Sequence, residues 1–518
     1  MKKVNTFTSY NLQPEILQSL QVLHYEEATE IQQQVLPVAL EGRDLAARSK
    51  TGSGKTAAFA IPICQKVQWD ENRPQALVLE PTRELTVQVK EEIFHIGRNK
   101  RLKVADVFGG FPIDKQILTL KQKSHIVVGT PGRLLDHIDR ETIDLSAVET
   151  LVIDEADLML DMGFIQDVEK IIQDLPKRQI MLFSATLDES LQDLMDRYMT
   201  DPAVIAIEED VATVDAIRQG IIRVSSKSHG DGVNTVSSHS RNTDVQKNRN
   251  ESDEEALEHE ISRQQYKALL HTLMHENPDS CIIFCGTREM ADVLCRKLGR
   301  DGVRCGVLHG AIDQQDRLRT IDGFRLGRFR YLIATDVAAR GIDFPNLSLV
   351  FNYDFPTGKE TYVHRIGRTG RNGEAGRAIS LMTDKDVHMY NAIEEYLNIT
   401  IPIEKLPEVT EQERKTFNNR QKEKVQLKKR KGAEFKQTIT KLTISGGKKS
   451  KMRAGDIVGA ICSVDGVTAD DIGVIDVRDS ITYVDVMNGK GHKVHDALQD
   501  RTIKGKVRKV KISRSNKI

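Results

Sequence analysis

An eight-residue run, Ser49-Lys50-Thr51-Gly52-Ser53-Gly54-Lys55-Thr56, stands about a hundred positions ahead of Asp154-Glu155-Ala156-Asp157, which directly follows the apolar run Leu151-Val152-Ile153. Glycines at 52 and 54 let the backbone turn its N–H groups toward an anion at the start of a helix. An acidic pair just past an apolar strand puts carboxylates at the carboxyl end of a parallel sheet, where such sheets hold ligands. Either feature alone is weak. In this order they require an alternating α/β fold with a phosphate-binding edge.

The rest of the first 210 residues follows that requirement. Short apolar runs at 76–79, 104–107, 126–128, 151–153 and 180–183 read as strands, and 84–96 between them reads as a helix. Pro81-Thr82-Arg83, Thr130-Pro131-Gly132-Arg133, Asp154-Glu155 and Ser184-Ala185-Thr186 all fall immediately after strands, so one face collects them. A second α/β unit begins near Ile217, with strands at 281–284, 331–334, 347–351 and 378–381. Between its first strand and the rest lies 225–260, rich in Ser, Asn, His, Asp and Glu. This segment cannot bury enough surface to offset its ordering entropy and is expected to be a disordered insertion.

At 518 residues the chain needs two or three domains. No apolar run approaches the ~18 residues that span a bilayer, and no apolar stretch follows Lys2 and Lys3, so no membrane and a cytoplasmic location are expected. Cys64, Cys281, Cys285, Cys295, Cys305 and Cys462 include no C-x-x-C pair, which argues against zinc, and a reducing compartment argues against disulfides. The 75 basic and 75 acidic residues cancel, but residues 411–518 carry 26 Lys and Arg against 13 Asp and Glu, so +13 at the end balances −13 in the body. A basic appendage on an acidic body suits a polyanion partner.

The expected domains are 1–208, 209–402, a charged linker 403–436 and a final domain 437–518. In the last, strand 439–444, helix 454–462, strands 472–477 and 481–486, helix 492–498 and strand 507–512 give the order β-α-β-β-α-β. RNA-recognition modules and ferredoxin-like domains share that order.

Chemistry follows from the first pair of motifs. Ser49, Lys50, Thr51, Gly52, Ser53 and Gly54 would cradle phosphates, Lys55 would place a point charge on the β- and γ-phosphates, and the Thr56 hydroxyl would ligate magnesium. Asp154 would hold the metal through its water shell, and Glu155 would orient and deprotonate the attacking water. Residues 364–371 present Arg365, Arg368 and Arg371 along one short segment, and guanidinium forks stabilise charge on a transferring phosphoryl group. Arg83, Thr130 and Arg133, with glycines nearby, suit sugar-phosphate contacts.

With these residues the chain resembles the DEAD-box RNA helicases over about residues 5–400. The shared motifs are residues 25–32, P-T-R-E-L at 81–85, Gly109-Gly110, T-P-G-R at 130–133 and S-A-T at 184–186. Those of the second unit are A-T-D-V-A-A-R-G-I-D at 334–343 and H-R-I-G-R-T-G-R at 364–371. The resemblance implies two RecA-like domains in tandem, with Gln32 reading adenine, Tyr25 stacking on the base, and Gly341 and Asp343 completing an ATP site. It makes Arg368 and Arg371 arginine fingers, with hydrolysis requiring closure of both domains. Pro81, Thr82, Arg83, Gly109, Gly110, Thr130, Pro131, Gly132 and Arg133 would line the RNA path from the first domain. Thr287, Arg288, Gln314, Arg317, Thr335 and Asp336 would do so from the second. Asp157, Ser184, Thr186, His364 and Arg365 would couple the nucleotide and RNA sites. Three positions depart from the family: Ala28 replaces a proline, Gly286 stands where asparagine is common, and Glu80 replaces a small residue before Pro81. Facing the RNA, Glu80 would repel phosphates.

K-M-R-A-G-D-I-V-G-A-I at 451–461, preceded by Gly446-Gly447-Lys448-Lys449, resembles the C-terminal RNA-binding domain of DbpA-type bacterial helicases. That implies anchoring to 23S ribosomal RNA or pre-50S particles and a role in ribosome biogenesis, by a monomer. Tyr483 is the one sheet aromatic available there, so recognition would use Lys448, Lys449, Lys451, Arg453, Arg478 and the basic end at 501–517 rather than stacking. Three alternatives stay open: a general RNA helicase with a nonspecific basic anchor, a DNA helicase or translocase, and a non-catalytic RNA-binding assembly factor.

Overall fold

A computed structural model describes residues 6–49, 52–122, 124–207, 217–224, 263–339, 342, 344, 347–370, 376–423, 427–428, 432, 434–435 and 439–513. The insertion expected at 225–260 lies outside them, as do Lys50, Thr51, Gly341, Asp343 and Arg371.

The first sheet contains β1 (Leu45–Arg48), β2 (Ala76–Leu79), β3 (Val104–Val107), β4 (Ile126–Gly129), β5 (Thr150–Ile153), β6 (Gln179–Ser184) and β7 (Ala203–Ala206). All are parallel, in the order β3-β4-β2-β5-β6-β1-β7. Helices cover both faces, which is why these strands are continuous apolar runs rather than alternating ones. In β2, Ala76 and Val78 enter one apolar cluster while Leu77 and Leu79 enter the other. Strand β1, next to the sheet edge, escaped the sequence reading. Its Leu45-Ala46-Ala47 is fully buried, but alanine carries little strand preference.

The second sheet repeats the design with β8 (Ile217–Arg223), β9 (Cys281–Cys285), β10 (Cys305–Leu308), β11 (Tyr331–Thr335), β12 (Leu349–Asn352), β13 (Gly376–Met382) and β14 (Ile403–Glu404). Their order is β10-β11-β9-β12-β13-β8-β14, again all parallel. Cys281 and Cys285 are buried in its core. Residues 403–436 are more than a charged linker: β14 pairs with β8, and the helix Glu411–Lys422 buries Phe417 in the core of this unit. Polar contacts add to this aromatic anchor: Arg420 donates to the Asn277 carbonyl at 2.8 Å and Glu413 meets His275 at 2.9 Å.

The third sheet is antiparallel: β15 (Thr440–Ser445), β16 (Ile472–Val477), β17 (Ile481–Val486) and, last in the chain, β20 (Val510–Ile512), in the order β16-β17-β15-β20. The expected strand at 507–512 is broken. Val507 belongs to a hairpin of β18 (Thr502–Ile503) with β19 (Lys506–Val507), and only β20 (Val510–Ile512) pairs with β15. The helices Ala454–Cys462 and Gly491–Ala497 cover one face, where Leu442, Ile444, Val484, Val486 and Val510 form the core with Ile457 and Val494. The chain thus has two RecA-like parallel-sheet domains and a C-terminal antiparallel domain. It folds as two compact units, Met1–Glu208 with Lys429–Ile518, and Glu209–Lys428.

Candidate nucleotide site and nucleic-acid interface

The phosphate loop lies between β1 and the helix Lys55–Lys66. Gly52 has φ 83° and Gly54 φ 100°, left-handed values that a side chain resists. A Cβ on Gly54 would also stand 2.6 Å from Gln32 Nε2 and 2.9 Å from Thr29 Oγ1. Ser49 and Ser53 are 2.9 Å apart through their hydroxyls, and Ser49 N–H donates to the Ser184 carbonyl at 3.0 Å. Thr56 sits in the first turn of the helix.

Lys55 reaches across to Glu155, Nζ to Oε1 2.8 Å, with the two side chains only 5% and 11% exposed. Burial works against the Lys55 charge, yet Glu155 and Asp154 outweigh it and hold the amine above an ordinary lysine. Burial pushes the Asp154 carboxyl up; Lys55 pulls it back and Glu155 raises it further, leaving it at about 7. Glu155 itself has φ 49° at the start of the helix Ala156–Asp161, a conformation rare outside glycine and concentrated at functional sites. Its N–H donates to Asp154 Oδ1 at 2.9 Å, so the turn locks both carboxylates to one place.

Glu80, which would weaken RNA binding if it faced the phosphates, takes another place. It lies at the end of β2, fully buried, with neither carboxyl oxygen bonded among the described residues. Burial and the fields of Asp154 and Glu155 raise its pKa well above the carboxylate range. It therefore belongs to the nucleotide side of the sheet edge and not to the RNA side. The signal was available: β2 and β5 are neighbours, so residues just past them must meet.

Three links tie this site to its surroundings. Asp157 Oδ2 accepts from the Ala185 and Thr186 N–H groups at 3.1 and 3.2 Å, and Asp157 N–H donates to Ser184 Oγ at 3.2 Å. Gln32 is 1% exposed; its Oε1 accepts from Thr29 N–H at 3.0 Å and its Nε2 donates to the Gly54 carbonyl at 3.1 Å. Here, then, its amide joins the helix cap to the phosphate loop. Tyr25 donates to Glu92 and packs edge-on against Phe7, ring centroids 6.1 Å apart. Phe7 is a site neighbour that motif spacing did not single out.

On the same sheet edge, the helices Arg83–Ile96 and Pro131–Asp139 begin directly after β2 and β4. Helix N-termini gathered at one sheet edge are an arrangement that suits anions. The Thr82 hydroxyl caps the first, accepting from Leu85 N–H at 3.3 Å. A Cβ on Gly109 would meet Arg83 Nη2 at 3.2 Å, so the Gly109-Gly110 turn gives that guanidinium room. Arg133 donates to the Phe111 carbonyl at 3.0 Å, and Thr130 precedes its helix without a side-chain cap bond.

In the second unit Thr287 and Arg288 are exposed after β9, with Thr287 Oγ1 accepting from Met290 N–H at 3.1 Å. Gln314 is buried, and Arg317 donates to the Ala338 carbonyl at 3.5 Å. Thr335 ends β11. Asp336, expected on the RNA path, forms a two-pronged pair with Arg365 at 2.6 and 2.7 Å. Arg365 also donates to Asn352 and to the Asp354 carbonyl, while His364 is exposed. Arg368 is 7% exposed and donates to the Ile342 carbonyl at 2.8 Å, so in this conformation it is folded into its own domain. Gly286 N–H donates to Asp354 Oδ2 at 2.7 Å.

In the C-terminal domain, Lys448, Lys449, Lys451 and Arg453 are all exposed on one loop. The loop is braced: Lys448 N–H donates to the Arg478 carbonyl at 2.8 Å and Lys449 N–H to the Asp479 carbonyl at 2.9 Å. Buried Met452 anchors it from below. A Cβ on Gly447 would overlap the Arg478 carbonyl oxygen. Arg478 lies over the Tyr483 ring, 4.9 Å from its centroid.

A phosphate loop and an acidic turn on one parallel sheet, followed by a second such sheet, define the class of two-domain nucleoside triphosphatases to which helicases belong. Residues 29–194 match the DEAD/DEAH box helicase model, 264–373 the helicase conserved C-terminal domain and 441–513 the DbpA RNA binding domain. The chain is 46% identical over 514 residues to the ATP-dependent RNA helicase DbpA of Bacillus subtilis (strain 168), covering 99% of both. It is 38% identical over 391 residues to the DEAD-box ATP-dependent RNA helicase CshA of the same organism, covering 75% of this chain and 72% of that one. Saccharomyces cerevisiae Dbp5 bound to RNA and ADP BeF3 superposes over 80% of this chain and 100% of that one, with TM-score 0.64 and 31% identity. The chain belongs to the DEAD-box ATP-dependent RNA helicases of the DbpA type. Its activity is accordingly ATP hydrolysis stimulated by RNA.

Among the described residues no helix is long and apolar enough to cross a membrane. Nor do these residues contain a group of three or more His, Cys, Asp or Glu able to hold a metal alone.

Proposed function

We propose that the chain remodels ribosomal RNA, 23S rRNA in pre-50S particles, as a cytoplasmic monomer that grips one strand between its RecA-like domains. The observation that carries the mechanism is the buried Lys55–Glu155 pair. While it persists, the base is masked. Arriving β- and γ-phosphates compete for Lys55, and each Lys55–phosphate contact releases the Glu155 carboxylate to accept a proton from water. Arg368 and Arg371 supply charge to the γ-phosphoryl oxygens, which requires Arg368 to leave the Ile342 carbonyl. Asp157, Ser184 and Thr186 pass the state of that site to the RNA-facing helices through the bonds they share. His364 and Arg365 do the same in the second unit.

Mg2+ fits the donor set. Thr56 and Asp154 offer one hydroxyl and one carboxylate, and magnesium takes few protein ligands, completing its shell with water and phosphate. Asp154, raised by burial and by Glu155, would regain its charge with a cation beside it. When bound, the ion would neutralise phosphate charge.

The ribosomal reading rests on the braced basic loop at 448–453 together with the match to a DbpA RNA binding domain. A generic electrostatic anchor is the second reading, favoured by the exposed Arg501, Lys504, Lys506 and Lys509. Titrating 23S RNA against scrambled RNA of equal length at fixed salt separates them. Tighter 23S binding is expected; equal affinity sinks the specific reading.

A further inference from the structure

The turn from the helix Arg83–Ile96 into β3 carries Arg98, Arg101 and Lys103, and all three end on the C-terminal domain. Arg98 Nη2 lies 2.9 Å from Asp485 Oδ2, with side chains 12% and 3% exposed. Lys103 Nζ donates to the Ile475 carbonyl at 2.8 Å, and Arg101 Nη2 to the Ala469 carbonyl at 3.1 Å. The Arg98 guanidinium is also held over the Phe94 ring at 4.6 Å. Beside it, His95 stacks on Phe435 at 6.1 Å and 15° between planes. Phe435, Ile439 and Met487 are buried in the same apolar cluster as Ile93, Ile96 and Leu102.

Strand alternation identifies the face involved. Thr482, Val484 and Val486 of β17 point to the helices, so Tyr483 and Asp485 point to the opposite, open face. An RNA-recognition fold offers that face to bases. Here it carries Lys441 and Lys511 as well as Asp485 and Asp476, its one tyrosine lies under Arg478, and Asp485, 3.9 Å from Lys441 of its own sheet, is buried by a cation from another domain. An acidic side chain there repels phosphate and complements the basic turn.

We infer that the open face of the C-terminal sheet is an intramolecular docking surface for the 94–103 segment, so that the RNA anchor and the first ATP-binding domain move as one body. The Arg98–Asp485 pair is its latch. A buried ion pair with one partner reversed leaves two like charges buried together, whereas an exchange of partners restores the attraction. This inference does not depend on which RNA the anchor holds.

The test uses the full chain with Arg98→Asp, Asp485→Arg and the two combined, followed by amide hydrogen exchange. Each single reversal is expected to speed exchange in 94–103 and 483–487 by about tenfold or more, the signature of a locally opened interface. The combined exchange of charges is expected to return both segments to within about threefold of the parent, since contacting residues couple. Exchange in the helix Ala454–Cys462, on the other face, reports whether a single reversal unfolds the domain; the combined variant decides in that case too. Unchanged exchange in the single variants, or failure of the combined variant to restore it, overturns the inference.

Discussion

Lys55 and Glu155 neutralise each other in the nucleotide site, so their replacements should separate binding from chemistry. Lys55→Ala is expected to abolish ATP binding by removing the phosphate-facing charge. Glu155→Gln should keep ATP and RNA bound while hydrolysis falls ~10²–10⁴-fold, the range of a lost general base. Isothermal titration with single-turnover hydrolysis checks both, and full turnover by the Gln variant would refute the assignment. Glu80 gives a second test at this scale. Because burial beside Asp154 and Glu155 keeps its carboxyl protonated, the neutral Glu80→Gln should leave ATP binding within about twofold of the parent. RNA affinity should stay constant. A gain in RNA affinity with ATP affinity unchanged would return Glu80 to the RNA face.

Among elements, the basic loop and the turn before β16 make distinct predictions. Gly447 touches the Arg478 carbonyl, so Gly447→Ala should push the 448–453 loop off its brace. Binding of a hairpin RNA should weaken about tenfold, the scale of one or two lost charge contacts. The maximal ATPase rate on saturating generic RNA should hold. Asp471 accepts from Thr468 N–H, Lys490 and Asn488 at 2.8–2.9 Å. Burial opposes its charge, but these donors outweigh it and keep the carboxyl below the usual aspartate range. A depressed folded-state pKa contributes stability above the unfolded value of about 4, and that contribution disappears as pH falls toward the folded value. Asp471→Asn should therefore cost the C-terminal domain ~1.5–3 kcal/mol at pH 7. The loss should shrink in acid, followed by exchange in the helix Gly491–Ala497. How far elements were legible depended on residue type. Strands β2, β4 and β5, each with three consecutive Leu, Val or Ile residues, announced themselves, whereas alanine-rich β1, glycine-containing β10 and two-residue β14 lacked the apolar run that marks a strand. Motif residues were legible because strand ends must converge. Side-chain partners were not: Gln32 turned to Gly54, and Asp336 to Arg365, choices that depend on packing in three dimensions.

For the whole molecule, the account is of an ATPase whose base is masked until nucleotide and RNA rearrange the site, with a basic domain that selects the RNA. Charge asymmetry along the chain foretold the basic domain. Nothing in spacing or composition foretold that Asp485 on its open sheet face would meet Arg98, because that contact joins residues 387 positions apart. The most direct measurement is the ATPase rate of the full chain with 23S RNA, unrelated RNA of equal length, single-stranded DNA and no nucleic acid, at one salt concentration. The account predicts strong stimulation by 23S RNA, weaker stimulation by the unrelated RNA and a basal rate with DNA. One unchanged rate across all four would contradict it.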